Sequence, residues 1–342
     1  MSKITMSFFT DLHLRGQTPS SRKDDYPLAI LDKLGFCLRH ASKNDFALFG
    51  GDFCHSYKLT SDSIKEKAIT LFDEFLDVPM FYTWGQHDLL GKEYKTRQDS
   101  TKAFMIRQAL RNKEKSISEI SIDEDLIIEH KGLKIGLMSC PSGVDCIEWS
   151  KEKSKNRNPE IDVRIALVHH LLTSDADNHF LININEFETG TKENRGFDAV
   201  LCGDLHTGFK PHRNEAGTLF LNPGSLARTA KTVNDMARPI RGVDVIIDID
   251  TKKVEYDFWP VECAGTAEDV YKKDAPIIDS FEVINDSTSK EEELEGFEEV
   301  VSALESIGSS KIDIWDMLEM KAKEAGLSED VLNYILSKRP AA

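Results

Sequence analysis

The sequence predicts an α/β fold: a parallel sheet built from βαβ units, a second sheet after it, and helices flanking both. Three observations predict it. Up to Thr83, apolar β-prone runs and amphipathic stretches alternate as strand, helix, strand, helix, strand. Further on, Asp125–Ile128 and Leu133–Met138, joined through His130-Lys131-Gly132, read as a β-hairpin and so begin another sheet. Several strand-like runs also end in Asp or His, at the carboxyl edge where open α/β sheets place their ligands.

With 342 residues, the chain has room for one large domain with an appendage, or for two domains. It is 40% apolar and 30% charged. It lacks any run of about eighteen apolar residues, so no membrane association is expected. The stretch Met1-Ser2-Lys3-Ile4-Thr5-Met6 has neither the apolar core nor the cleavage site of a signal peptide, and a cytoplasmic location is expected. Cys37, Cys54, Cys140, Cys146, Cys202 and Cys263 are scattered without a C-x-x-C pair, which argues against a disulfide frame or a zinc ribbon. The net charge of −16 belongs mostly to the end of the chain. Residues 263–342 hold 8 basic and 19 acidic side chains, which leaves the first 262 residues at −5. A body at −5 does not advertise polyanion binding, but a bound metal pair would add about four positive charges locally.

Each element has its own pattern. Ile4–Phe9 is a short apolar run ending at Thr10-Asp11-Leu12-His13; on strand geometry Asp11 and His13 lie two apart and face one side. An acid and an imidazole converging there suit a transition metal, although a single D-x-H can equally be a polar strand end. The loop that follows carries Arg15, Arg22 and Lys23 beside this point, able to hold phosphates or simply to be solvated. Asp24–Ala41 has helical spacing, with Leu28, Leu31, Leu34 and Leu38 on one stripe and Pro27 near its start. Phe46–Phe49 is a strand stopping at Gly50-Gly51, and the turn throws out Asp52 with His55 three residues later. Ser61–Leu76 is a second amphipathic helix, and Pro79–Thr83 a third strand running into Gly85-Gln86-His87-Asp88. A charged stretch, helical from Ser100 to Asn112, separates this half from the hairpin.

Arg164–Val168 is a buried strand ending in His169-His170, and Asp198–Cys202 another ending in Gly203-Asp204-Leu205-His206. Thr218–Leu221 leads to Asn222-Pro223-Gly224-Ser225. Val243–Ile249 and Val254–Trp259 flank a turn and form a terminal hairpin expected to close the second sheet. From about Ala264 the composition changes. Residues 264–292 read as a linker, and three short helical patterns follow: Leu294–Ile307, Ile312–Ala325 and Ser328–Lys338. Their apolar stripes need a surface to bury against, either the body or another protein.

Taken together, Asp11-x-His13, Gly51-Asp52-x-x-His55, Gly85-Gln86-His87-Asp88, His169-His170 and Gly203-Asp204-x-His206 resemble the signature of the calcineurin-like metallophosphoesterase superfamily. That signature is D-x-H, G-D-x-x-[DH], G-N-H-[DE], H and G-H-x-H. The match spans residues 4–226. Within the superfamily the chain is most similar to the SbcD-type double-strand-break repair nucleases. Asp52-Phe53-Cys54-His55 with Lys58 looks like their G-D-L-F-H-x-x-K stretch, and Pro223-Gly224-Ser225 is similar to their P-G-S turn. The Arg-Gly-x-Thr-Pro loop and Gly-Gln-His-Asp look more like phage-borne members.

The resemblance implies a four-layer sandwich of two mixed β-sheets flanked by helices, with a β-hairpin capping module and a helical C-terminal tail. It divides the chain into a nuclease domain at 1–226, a hairpin extension at 227–263, the linker, and a partner-binding segment at 293–342. By position, Asp11, His13 and His206 would bind one metal, Gln86, His169 and Asp204 a second, and Asp52 would bridge them. His87 would protonate the leaving oxygen or stabilise the oxyanion, with Asp88 behind it, and His55 would help place the nucleic-acid backbone. The sequence departs from the signature twice. Gln86 stands for Asn and reaches one methylene further, and Asp204 stands for the first His of G-H-x-H. Both changes fall on the second metal and make its site richer in oxygen, favouring Mn²⁺ or Mg²⁺ over Zn²⁺.

The expected activity is therefore Mn²⁺-dependent hydrolysis of DNA phosphodiesters. The expected partners are DNA, an SbcC-like SMC-type ATPase held by the C-terminal helices, and a second copy of the chain in a homodimer. Two rival readings remain at this stage: a phosphoesterase of the same fold acting on small nucleotides or phosphoproteins, and a non-catalytic structural subunit.

Overall fold

Period-two alternation sets the first strand. In β1 (Lys3–Phe9), Ile4, Met6 and Phe8 share one face and are fully buried. The chain continues through α1 (Tyr26–Ala41), β2 (Phe46–Phe49), α2 (Asp62–Phe75), β3 (Met80–Tyr82) and β4 (Ile117–Glu119). β1, β2, β3 and β4 pair in parallel, in that order. The helices start where their caps say they should. The Asp25 carboxylate accepts from Leu28 N at 3.2 Å, with Pro27 in the first turn, and the Ser61 hydroxyl accepts from Ile64 N at 3.4 Å. α1 buries Ile30, Leu31, Leu34 and Leu38, whereas Leu28, expected on the same stripe, is 43% exposed. At about 100° per residue Leu28 falls at the edge of that stripe, outside the sheet contact. Our computed structural model describes residues 2–58, 61–103, 105–106, 117–174 and 181–277. Of the helix expected at Ser100–Asn112, residues 100–103 and 105–106 lie within them; 101–103 and 105–106 are helical and Ser100 precedes the helix.

The hairpin β5 (Leu126–His130) and β6 (Leu133–Cys140) opens the second sheet, as the sequence predicts. After α3 (Cys146–Lys155) come β7 (Val163–His170), β8 (Leu172–Thr173), β9 (Ile182–Asn183), β10 (Ala199–Asp204), β11 (Phe209–Arg213) and β12 (Leu219–Asn222). β8 and β9 form a small ladder of their own, and the rest assemble in the order β11-β12-β10-β7-β6-β5. The centre of this sheet is parallel, and both edges are antiparallel. Both sheets are thus mixed, in agreement with the expected fold class.

The terminal hairpin is not where the sequence reading put it. After the short helix α4 (Val233–Ala237), β13 (Arg241–Asp248) pairs antiparallel with β1, from Lys3 opposite Asp248 to Phe8 opposite Val243, and β14 (Val254–Pro260) forms the outer edge. The hairpin therefore completes the first sheet and does not close the second. The reason is physical. Val243, Val245 and Ile247 bury into the layer between the sheets, a layer both sheets share, so their alternation could not choose an edge. β13 takes the side of β1 opposite β2, and the second sheet ends in β5 and β11.

Three apolar layers result. Between the sheets, Ile4, Met6, Phe8 and Leu48 meet Ile135, Leu137, Ile165, Leu167 and Leu201. Outside the first sheet, α1 and α2 pack on Phe9, Phe49 and Tyr82. Outside the second, Trp149 of α3 joins Phe187, Phe197 and Phe220.

The chain divides into two compact units, Met1–Ile277 and Ile278–Ala342. Residues 264–277, expected as linker, belong to the first. There α5 (Ala267–Val270) opens with a Thr266–Asp269 capping box, Tyr271 donates its hydroxyl to Ala230 O at 2.5 Å, and Lys231 Nζ donates to Lys272 O and Ala275 O at 2.9 and 2.8 Å. The three helical patterns expected in the second unit lie outside the described residues. Among the described residues, no helix is long and apolar enough to cross a membrane.

Candidate metal centre

The turns after β1, β2, β3, β7 and β10 converge, and their backbone is bent to do so. Of the seven non-glycine residues with positive φ among those described, four are expected ligands: Asp11 (54°), His13 (48°), Asp52 (51°) and Asp204 (72°). Each such residue costs on the order of 1 kcal/mol or more, and outliers of this kind gather at functional sites because surrounding structure holds them there. The holding contacts are visible. Asp11 N donates to Gly51 O at 3.1 Å, His13 N to Asp52 O at 3.0 Å, and His55 N to Leu14 O at 3.0 Å, so the turns after β1 and β2 run on as a ribbon. Tyr26 donates its hydroxyl to His13 O at 2.9 Å, Ser225 Oγ donates to Asp11 O at 2.8 Å, and Thr10 Oγ1 donates to Asp11 Oδ2 at 2.7 Å.

Gly85 shows how tight the fit is: a Cβ there would lie 2.0 Å from Asp52 Oδ1. Without that Cβ, His87 N donates to the same oxygen at 2.9 Å.

The ligand atoms fall into two sets that share one residue. Asp11, His13, Asp52 and His206 offer atoms within 4.8 Å of one another, and so do Asp52, His169 and Asp204. Asp52 Oδ2 is the hinge, 3.7 Å from His13 Nε2 on one side and 3.3 Å from His169 Nε2 on the other. His206 Nε2 lies 3.7 Å from Asp11 Oδ1. His169 points its Nδ1 at Gly50 O, 2.7 Å away, which turns Nε2 towards the cluster; the neighbouring His170 is 3.0 Å from Pro141 O instead. Gln86 meets the cluster through its amide, which donates to Asp204 Oδ1 at 3.2 Å. A third group, His13, His55 and His87, stands over the first set, with the His55 and His87 rings stacked at 5.3 Å.

Electrostatics mark the same place. Burial pushes the Asp11 carboxyl up to about 7 against the pull of His169, and burial raises Asp204. Burial would raise Asp52 too, but His169, His87 and His13 outweigh it and hold its carboxyl well below the usual range. Burial acts against a charged His169, yet Asp52, Asp11 and Asp204 push it up to about 10. His206 is lowered to about 4 by burial and then by Arg238. Burial, then His206, lowers His13; burial, then His87 and Arg15, lowers His55.

A pair of divalent cations fits these residues. Among the described residues, Asp52 Oδ2 and His169 Nε2 are buried without a hydrogen-bond partner although they face each other. Unpartnered buried polar atoms are costly unless an ion completes them. The donors are three carboxylates and three imidazoles, a mixture suited to Mn, Fe or Zn at the first set and to harder ions at the second.

The other expected residues are placed as follows. Asp88 is fully buried behind His87, with no face on the cluster. Its Oδ1 accepts from Phe53 N and Cys54 N at 2.9 and 3.1 Å, and its Oδ2 from Lys102 Nζ at 2.8 Å. Arg15 is half-buried and near enough to His55 for its charge to act there. Arg22 is buried and engaged elsewhere, gripping Asp24 through Nε and Nη2 at 2.8 and 2.6 Å and donating to Arg228 O at 2.7 Å. Lys23 donates to Glu268 O at 2.7 Å. Sequence reasoning missed Lys102, which sits in a charged stretch with nothing to set it apart, and Tyr26, which reads as part of a helix start.

The sequence profile of the calcineurin-like phosphoesterases matches residues 5–208, the stretch that supplies every ligand atom named above. No curated protein matches the chain. Among solved structures, a purple acid phosphatase from yellow lupin seeds is similar at 11% identity and a TM-score of 0.41; the likeness covers 79% of this chain and only 53% of the lupin enzyme. GAP50, the anchor in the inner membrane complex of Plasmodium, shares 8% identity at a TM-score of 0.44, over 81% of this chain and 90% of its own. A structure of PhoD shares 11% identity at a TM-score of 0.39, over 81% and 73%. With that profile matching residues 5–208, well over half of its length, the chain belongs to the calcineurin-like phosphoesterase family.

Proposed function

We propose that the chain is a two-metal, Mn²⁺-dependent DNA phosphodiesterase: the exonuclease/endonuclease subunit of an SbcCD-like recombination and repair complex. The observation that carries the reading is the buried pair His55 and His87, stacked at 5.3 Å over His13 and beside the metal-ligand cluster. A phosphodiester keeps a second ester arm after the scissile bond is chosen, and a second imidazole next to the proton donor gives that arm a partner. His87 protonates the leaving alkoxide. His55 and Arg15 hold the flanking phosphate, and Asp52 and Asp11 anchor the ligand set. When bound, the metal pair supplies an activated water and neutralises phosphate charge. The oxygen donors of Gln86 and Asp204 make Mn²⁺ the preferred ion at the second position.

Residues 293–342 are proposed to bind an SMC-type ATPase, and the working form is proposed to be a homodimer. The test uses the purified full-length chain with Mn²⁺ on linear duplex DNA. Degradation of the duplex is expected, and activity confined to small phosphate esters would overturn the nuclease reading. Removing residues 290–342 is expected to spare Mn²⁺-dependent cleavage and to abolish binding of the ATPase.

A further inference from the structure

We propose that Lys102 is a positioning residue of the metal centre, acting through Asp88; the inference rests on reading the Asp–His cluster as a metal centre. Lys102 is 2% exposed and has no access to substrate. Its ammonium donates to Thr83 O at 2.7 Å and to Asp88 Oδ2 at 2.8 Å, and lies 5.2, 4.9 and 4.6 Å from the ring centres of Phe49, Tyr82 and Trp84. Buried cations survive where a carboxylate, a carbonyl and aromatic faces surround them together.

What makes this pair more than packing is where the Asp88 carboxylate goes. Oδ1 accepts from the two amides that follow Asp52, and Oδ2 accepts from Gly85 N at 3.2 Å, three residues before Asp88 itself. One carboxylate thus ties the turn after β2 to the turn after β3. These turns carry Asp52, Gln86 and His87, and His87 N closes the tie by donating to Asp52 Oδ1 at 2.9 Å. A carboxylate with this many amide donors keeps its orientation only while its charge is balanced, and Lys102 is the cation within reach. Take the charge away, and the Asp88 carboxylate must either draw in water or turn away from its buried position. Either change loosens the amide contacts that fix the bridging ligand. Supporting groups of this kind typically govern metal affinity by about 10–100-fold.

The experiment measures Mn²⁺ affinity by isothermal titration calorimetry on the full chain, with the melting temperature of the metal-free form as the fold control. Lys102→Met keeps the apolar stem under the rings and removes the charge. Its Mn²⁺ affinity is expected to fall at least about tenfold. Asp88→Asn keeps the shape of the carboxylate and is expected to lose a similar factor. In the Asp88→Asn background, adding Lys102→Met is expected to change affinity by less than about twofold, because the two residues act as one unit. A purely structural role would lower the melting temperature and leave affinity unchanged; that result, or losses that multiply in the double variant, overturns the proposal. Should Lys102→Met not fold, Asp88→Asn decides alone: a tenfold loss supports the proposal, and wild-type affinity overturns it. Failure of the wild-type chain to bind Mn²⁺ at all would instead overturn the metal-centre reading.

Discussion

The Nε2 atoms of His13 and His206 face each other across 2.9 Å, one from the turn after β1 and the other from the turn after β10. At that distance the two rings cannot both be protonated without strong repulsion, and both are lowered by burial. Without an ion one Nε2 donates to the other, and a cation flanked by Asp11 and Asp52 can take the place of that shared proton. Chelation is therefore expected to lower thermal stability and Mn²⁺ to restore it. At a hundredfold excess over Kd the gain is about 2.7 kcal/mol, which is on the order of 5 °C in Tm for a unit of this size. Differential scanning calorimetry with EDTA and with Mn²⁺ checks this, and identical curves would count against a metal at His13 and His206.

His87 and Asp52 separate chemistry from metal binding. His87→Ala is expected to lower kcat on duplex DNA by about 10²–10⁴ while Mn²⁺ titrations stay at wild-type affinity. Asp52→Ala removes the atom lying between His13 and His169, so both metal sites are expected to weaken together in the same titration. Loss at one site alone would show that Asp52 is not shared.

The pair Gln86 and Asp204 offers a test of metal choice. Changing Gln86→Asn together with Asp204→His restores the nitrogen-bearing pattern of the wider family. It is expected to shift the Zn²⁺-to-Mn²⁺ affinity ratio towards Zn²⁺ by about tenfold or more. Competition titrations read the ratio directly, and an unchanged value would mean that the second site's donors do not set its preference.

Lys33 supplies a pH dependence away from the centre. Buried in α1, it donates to Leu226 O at 2.7 Å, and burial, then Arg22, Arg238 and Arg228, pull it down from 10.5 to about 7, with Asp235 opposing. Because its folded value lies below the unfolded one, the unfolded chain binds one more proton between about pH 7 and 10.5. Stability from this group therefore rises with pH across that window, by up to about 1.4 kcal/mol per pH unit. Lys33→Met is expected to flatten the rise between pH 7 and 9 relative to wild type; the cysteines that ionise in the unfolded chain contribute equally to both proteins and cancel in the comparison. Parallel denaturation curves for the two proteins would refute it.

Much of this site could be read from the sequence, and the reasons are local. Gly50-Gly51 announced a turn; Gly51 takes a φ of 107°, and a Cβ there would meet His169 Nδ1 at 2.4 Å, so only glycine fits. Strand periodicity fixed which face Ile4, Met6 and Phe8 present, and a strand end is where a carboxylate can leave the sheet. Other relationships left no mark in the sequence. Val243 and Ile247 alternate as any sheet edge would, so only pairing with β1 reveals their sheet. Arg22 and Lys23 read as loop cations, but long-range partners at Arg228 and Glu268 claim their donors. Lys102 is one charge among many between residues 91 and 118, and its meaning comes from an aspartate fourteen residues earlier.

The ligands come from both halves of the sandwich: Asp11, His13 and Asp52 from the first sheet, His169, Asp204 and His206 from the second. Mechanically, the centre is a rivet driven through two plates. Between the plates lies a layer of aliphatic side chains that resists sliding only weakly, since methyl groups have no preferred direction of pull. The rivet adds the direction. Shear between the sheets must distort the hydrogen bonds that cross here, from His169 to Gly50 O and from Asp204 N to Asp11, so the candidate ligands and the fastening that keeps the two plates in register are the same set of residues.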